Sequence, residues 1–259
     1  MTEKKKAALD KRDWIAGLEK GLAILEAFDN EHARMTPTQA AARTGLSRTA
    51  ARRYLLTLES LGYVYTDGRL FGLTPRVLRV GWSYFDSARL PRTVQPYLQQ
   101  LSASINESAY VSVLDDWELV VIARNGVSRV MTTGFVLGAR VPAPLISPGV
   151  VLLAYYDDPD AVAAWLDSVE LPPYTPHTLT AKSGLREKID RARVDGYALI
   201  EQQLQVGVRG IAVPLRNRHG EVVAALSTNM PIGNESAHAA LKRVLPRLQE
   251  TAVAMLNVL

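Results

Sequence analysis

The chain has 259 residues, 47% of them apolar and 22% charged, which is the balance of a globular protein with room for two cores. It contains no cysteine, which excludes disulfide scaffolds, thiolate zinc sites, iron–sulfur clusters and cysteine nucleophiles. The net charge of +4 is held unevenly: residues 1–88 carry 14 Lys+Arg against 10 Asp+Glu, and the rest of the chain carries 16 of each.

Residues 1–12 are charged (Lys4, Lys5, Lys6, Asp10, Lys11, Arg12), and no apolar run follows them. They read as a flexible arm rather than a signal peptide. No stretch approaches the roughly 20 apolar residues of a membrane-spanning helix, so a cytoplasmic protein away from membranes is expected.

Ile15, Leu18, Leu22, Leu25 and Phe28 recur at helical spacing and predict a first helix, with Asp13 as its N-cap. Thr36-Pro37 opens a short Ala-rich second helix that stops at Gly45. Ser47 opens a third, whose inner face is Ala51, Leu55, Leu58 and Leu61 and whose stop is Gly62. Two helices meeting across a tight turn with a glycine make a helix-turn-helix. Tyr63–Thr66, Asp67-Gly68 and Arg69–Leu73 then read as a β-hairpin, which makes a wing.

Between His32 and Leu58 lie five arginines and no carboxylate. A basic segment free of acids suits phosphates. With Leu55 and Leu58 inward, Arg48, Thr49, Arg52 and Arg53 share the opposite face, in the N-terminal half of the third helix. That half of a recognition helix meets base edges in the major groove, where arginine matches guanine bidentately. Arg69 on the wing, Ser47 and Thr36 suit phosphate contacts, which position without specifying.

Arg76 to Ser87 predicts a linker helix that is apolar on two sides. The expected division is therefore an arm (1–12), a winged helix-turn-helix domain (13–74), a linker helix (75–89) and a second domain (90–259). The second domain predicts helices at 92–105, 147–155, 161–169, 185–194 and 236–258. Strands are predicted at 109–114, 118–124 and 128–136, with a hairpin of 210–215 and 221–227 around Asn217–Gly220. This is an α+β domain with an antiparallel sheet.

Nothing in the chain points to an enzyme. His32, His177, His219 and His238 are scattered, with no metal-ligand spacing, and neither a nucleophile elbow nor a phosphate loop is present. No metal and no cofactor are expected.

The chain resembles the IclR family of bacterial transcription regulators over nearly its whole length. The stretches that carry this include 17–25, 44–53, 61–64, 67–71 and 73–78, then 196–199, 207–209, 211–214 and 224–227. It is most similar to the branch that controls aromatic-acid catabolism (protocatechuate, 4-hydroxybenzoate) through the β-ketoadipate pathway. The resemblance implies a winged-helix domain and a GAF-like second domain that binds a small organic acid. It also implies dimers, or dimers of dimers, on palindromic double-stranded operators. It places the effector pocket at Ile146, Ser147 and Pro148, at Ile200 and Glu201, at Gly210, and at Ser227 and Asn229.

The chain departs from its branch in that pocket. Relatives show a Thr-Ser-x-Gly-Arg run where this chain has Ile146-Ser147-Pro148-Gly149-Val150, so the arginine is missing and Pro148 removes an amide donor. The usual acidic run is here Glu201-Gln202-Gln203-Leu204-Gln205. These changes point to a larger or less acidic aromatic ligand. The alternative within the same reading is a regulator whose second domain only dimerises.

Overall fold

The computed structural model describes residue 10, residues 12–126 and residues 135–259. The chain divides into two compact units, with the boundary between Ser87 and Ala88.

The first unit holds α1 (Ala16–Glu26), β1 (Arg34–Met35), α2 (Pro37–Thr44), α3 (Arg48–Ser60), β2 (Val64–Thr66), β3 (Phe71–Leu73) and α4 (Leu78–Ser87). A 3-10 turn, Pro75–Val77, leads into α4. Thr36 caps α2 in a capping box: its hydroxyl accepts from the Gln39 amide while the Gln39 side chain accepts from the Thr36 amide. Gly45 ends α2 in the left-handed region, φ 68°, which a residue with a Cβ enters only at a cost. The core joins Ile24, Met35, Ala40, Ala51, Leu55, Val64 and Phe71.

Three expectations need correction here. Asp13 does not cap α1: Ile15 holds that position and no side chain bonds there. Ile15, Leu18 and Leu22 are exposed, and α1 buries Ile24 and Ala27 instead. The stripe that the spacing singles out is split: its first three residues are exposed, while Leu25 and Phe28 are half-buried against the core. Leu61 is also exposed, because α3 ends before it; the Gly62 and Tyr63 amides turn back onto Glu59 and Leu58 carbonyls. The wing hairpin forms with a four-residue loop, 67–70, and β1 adds a third strand in the order β1-β3-β2.

The second unit holds α5 (Arg89–Ile105), β4 (Ser108–Asp115), β5 (Glu118–Asn125), β6 (Arg140–Pro142), α6 (Ser147–Ala154), α7 (Pro159–Ser168), α8 (Lys182–Asp195), β7 (Ala198–Glu201), β8 (Val208–Arg216), β9 (Val222–Pro231) and α9 (Ala237–Met255). Its six-stranded antiparallel sheet runs β6-β5-β4-β9-β8-β7. The hairpin predicted at 210–215 and 221–227 forms over 208–216 and 222–231 and is its longest pairing. On one face lie α5 and α9, with Val94, Leu98, Val244 and Leu248 in their core. On the other lies α6, every residue of it buried, with α7 and α8 outside. Most of the predicted strand at 128–136 lies outside the described residues; its last two positions, 135 and 136, are not in a strand.

Candidate DNA-binding surface and candidate effector cavity

In the first unit the arginines fall into two groups. Arg43 is committed: it donates to the Ala27 carbonyl (2.8 Å) and Asp29 (2.5 Å) and meets the His32 ring nitrogen (3.0 Å). Arg34 pairs with Asp67 at the wing tip. Asp67 also accepts the Leu70 and Arg69 amides, and these bonds, with Arg34, hold its carboxyl down at about 2.

Arg48, Arg52, Arg53 and Arg69 are exposed, and no carboxylate pairs with any of them among the described residues. The first three and Thr49 project from the N-terminal half of α3, away from Ala51, Leu55 and Leu58. Ser47 caps α3 by accepting the Ala50 amide, which leaves its O–H free to donate. The Thr36 hydroxyl is used in both directions on Gln39, so it serves the fold of α2 first.

In the second unit a cavity of about 140 Å³ opens where α6 begins above the sheet. Its wall takes Ile146 and Ser147 from the entry to α6, Ile200 from β7, Gly210 from β8 and Asn229 from β9. The turn after β7 (Gln202, Gln203, Leu204, Gln205) closes one side, with Phe135, Leu145 and Val208. That turn is anchored: Thr175 and Thr178 hydroxyls donate to the Gln202 and Gln203 carbonyls. Gln203 also donates to the His177 carbonyl.

Gly210 fits its place by size. A Cβ there would lie 2.7 Å from the Ser147 Oγ and 3.0 Å from the Asn229 Oδ1. Both polar groups thus converge on a bare stretch of backbone. Ser147 is the first residue of α6 and not its cap, which is Ile146. Its hydroxyl is consequently buried without a hydrogen-bond partner. Such a group lowers stability unless something binds it.

Three further residues of the expected pocket lie outside the wall. Pro148 is buried in the first turn of α6. Glu201 accepts from the buried Arg209 at 2.7 Å, one position along the strand from Ile200 and so on the other face of the sheet. Ser227 is buried beside Tyr110, two residues from Asn229. Leu145, which the resemblance also places in the loop entering α6, ends a 3-10 turn (Ala143–Leu145) and belongs to the wall; Phe135 belongs to it too but carries no sequence signal, being an ordinary apolar residue.

A winged helix-turn-helix with free arginines on its third helix, followed by a sheet domain with a cavity of small-molecule size, defines a ligand-responsive DNA-binding regulator. Residues 17–68 match the IclR helix-turn-helix domain, and residues 82–256 match the bacterial transcriptional regulator IclR C-terminal domain. The chain belongs to the IclR family of transcription regulators; it is not an enzyme. As a bacterial regulator of transcription it acts in the cytoplasm.

Two curated relatives come from Acinetobacter baylyi. The p-hydroxybenzoate hydroxylase transcriptional activator is 41% identical over 95% of this chain and 92% of its own length. The Pca operon regulatory protein is 38% identical over 95% of this chain and 90% of its own. Among solved structures, a double mutant of the PobR inducer-binding domain from Acinetobacter, in complex with 3-hydroxybenzoic acid, is 32% identical. It covers 66% of this chain and 100% of its own, with a TM-score of 0.62.

Proposed function

We propose that this regulator senses a one-ring aromatic acid in the cavity below α6 and answers by changing its hold on DNA. The observation that carries the reading is the pairing of an unsatisfied Ser147 hydroxyl with the Asn229 amide around Gly210. A concave wall that sets apolar side chains beside convergent polar groups suits a small ligand. Its volume, about 140 Å³, is close to that of protein cavities that hold benzene, which favours one ring over a larger ligand. Among the described residues the wall carries no acidic side chain, which suits a monoacid. Relatives named for p-hydroxybenzoate and Pca regulation support the aromatic class.

In this reading residues 13–74 bind DNA, 75–89 link, and 90–259 bind the effector and oligomerise, with residues 1–12 as an arm. Arg48, Thr49, Arg52 and Arg53 read bases, and Ser47 and Arg69 hold phosphate. Two copies engage the two halves of a palindromic operator.

The test is a fluorescence-anisotropy titration on the duplex upstream of the protein's own gene and on a scrambled duplex, with and without 4-hydroxybenzoate. Preference for the native duplex that shifts with the acid is expected. Equal binding to both, unmoved by the acid, would refute it.

A further inference from the structure

An acid in this cavity needs a counter-charge, because a lone carboxylate removed from water is costly. Among the described residues, none in the wall is charged. Position 150, at the start of α6, is a fully buried valine and supplies none.

The strand register places a cation next door. Tyr110 pairs with Arg124 across β4–β5, while Ser108 pairs with Asn229 and Tyr110 with Ser227 across β4–β9. Directly paired residues share a face of the sheet, as do residues two apart on one strand. Arg124, Tyr110, Ser108, Ser227 and Asn229 are thus one polar patch. Tyr110 and α6 belong to the same core cluster, which fixes the face.

Two observations point from this patch to a ligand. The Tyr110 hydroxyl is buried without a hydrogen-bond partner, in a residue 1% exposed. Its ring stands edge-on to Phe135, a residue of the cavity wall, at 6.3 Å. Burial raises the phenol's pKa, while Ser108 and the Arg124 charge act against that rise.

Arg124 itself is half-buried, and no carboxylate pairs with it among the described residues. Residues 125–139 contain no Asp or Glu. At the far end of the β4–β5 hairpin, Asp115 and Glu118 are held by Arg140. Gln95 of α5 donates to the Arg124 carbonyl and steadies the backbone there.

We propose that Arg124, with the Tyr110 and Ser108 hydroxyls beside it, recognises the carboxylate of the effector, whose ring substituent then meets Ser147 and Asn229. Strands β5 and β9 are separated by β4, roughly 10 Å backbone to backbone. A one-ring acid and an arginine side chain bridge that span together. The proposal rests on the effector reading above and gives it an orientation: acid end toward β5, substituent toward α6.

Calorimetric titration of the full chain tests it, with 4-hydroxybenzoate and its neutral analogue 4-hydroxybenzamide as probes. Wild type should favour the acid. Arg124→Gln should lose about 10- to 100-fold of the acid affinity, the range of a charge-assisted hydrogen bond. Amide affinity should stay within about twofold, since the amide presents no charge to an arginine. Arg124→Lys should recover part of the loss. Tyr110→Phe should weaken the acid less and should not lower Tm, because it deletes an unpaired buried hydroxyl.

If Arg124→Gln binds the acid as wild type does, or loses acid and amide alike, the subsite is overturned and the effector reading stands. If wild type binds neither probe, the effector reading falls and takes the subsite with it.

Discussion

The two units treat their polar groups in opposite ways. In the DNA-binding unit the exposed arginines of α3 stand in solvent, and the neighbouring hydroxyls accept helix amides: Thr36 and Ser47 cap helices. In the effector unit the Ser147 and Tyr110 hydroxyls are buried and left unpaired. A surface that meets DNA keeps free charge at little cost, because water solvates it until phosphate replaces the water. A cavity that meets a small ligand must hold its donors dry, and it gives up some stability until the ligand arrives.

Filling the cavity tests that contrast hardest. Gly210→Ala puts a methyl against Ser147 and Asn229. Effector binding by calorimetry should be lost, and DNA affinity in anisotropy should stay. The fold should lose about 1–3 kcal/mol at most, the usual cost of overpacking. An unchanged effector affinity would remove the cavity from the account.

Next in size is the exposed face of α3. Arg52→Ala should cost about 1–3 kcal/mol on the operator and relax specificity at one base pair. Arg69→Ala should weaken operator and random DNA alike and reduce the salt slope by about one. If both variants affect the two duplexes equally, the division between reading and positioning is wrong.

The smallest effect belongs to the wing tip. The Asp67 carboxyl is held at about 2, below its ordinary 3.8. A depressed carboxylate stabilises above its unfolded value, and that help fades as pH falls through the folded one. Exchange protection of the Arg69 and Leu70 amides should thus weaken between about pH 4 and pH 2. Constant protection across that window would mean that Asp67 does not hold the loop.

What was legible in the sequence follows from the same contrast. Helices α2 and α3 announce themselves by Thr36-Pro37, Gly45 and Ser47, and the free arginines of α3 by the local absence of acids, though the same signal also took in Arg34 and Arg43, which are paired. The long β8–β9 hairpin is legible from two apolar runs around Asn217–Gly220. The two-residue β1 is not, because it exists only through its pairing with β3. The exposed stripe of α1 misleads, because spacing reports an apolar face without saying what covers it. In the cavity, Ser147, Gly210 and Asn229 come from three separate segments and stood out only through family resemblance. Arg124 and Tyr110 gave no signal at all, since a sheet register brings them to the cavity and no local pattern records it.

Residues 209 and 210 are neighbours on β8 that face opposite sides of the sheet. Gly210 is cavity wall, while Arg209 reaches the other way and donates to the Glu235 and Ser236 carbonyls at the start of α9. The strand therefore joins the cavity wall on one face to the last helix on the other. A guest that shifts β8 pulls on the first turn of α9 through bonds whose arginine is itself fastened to Glu201.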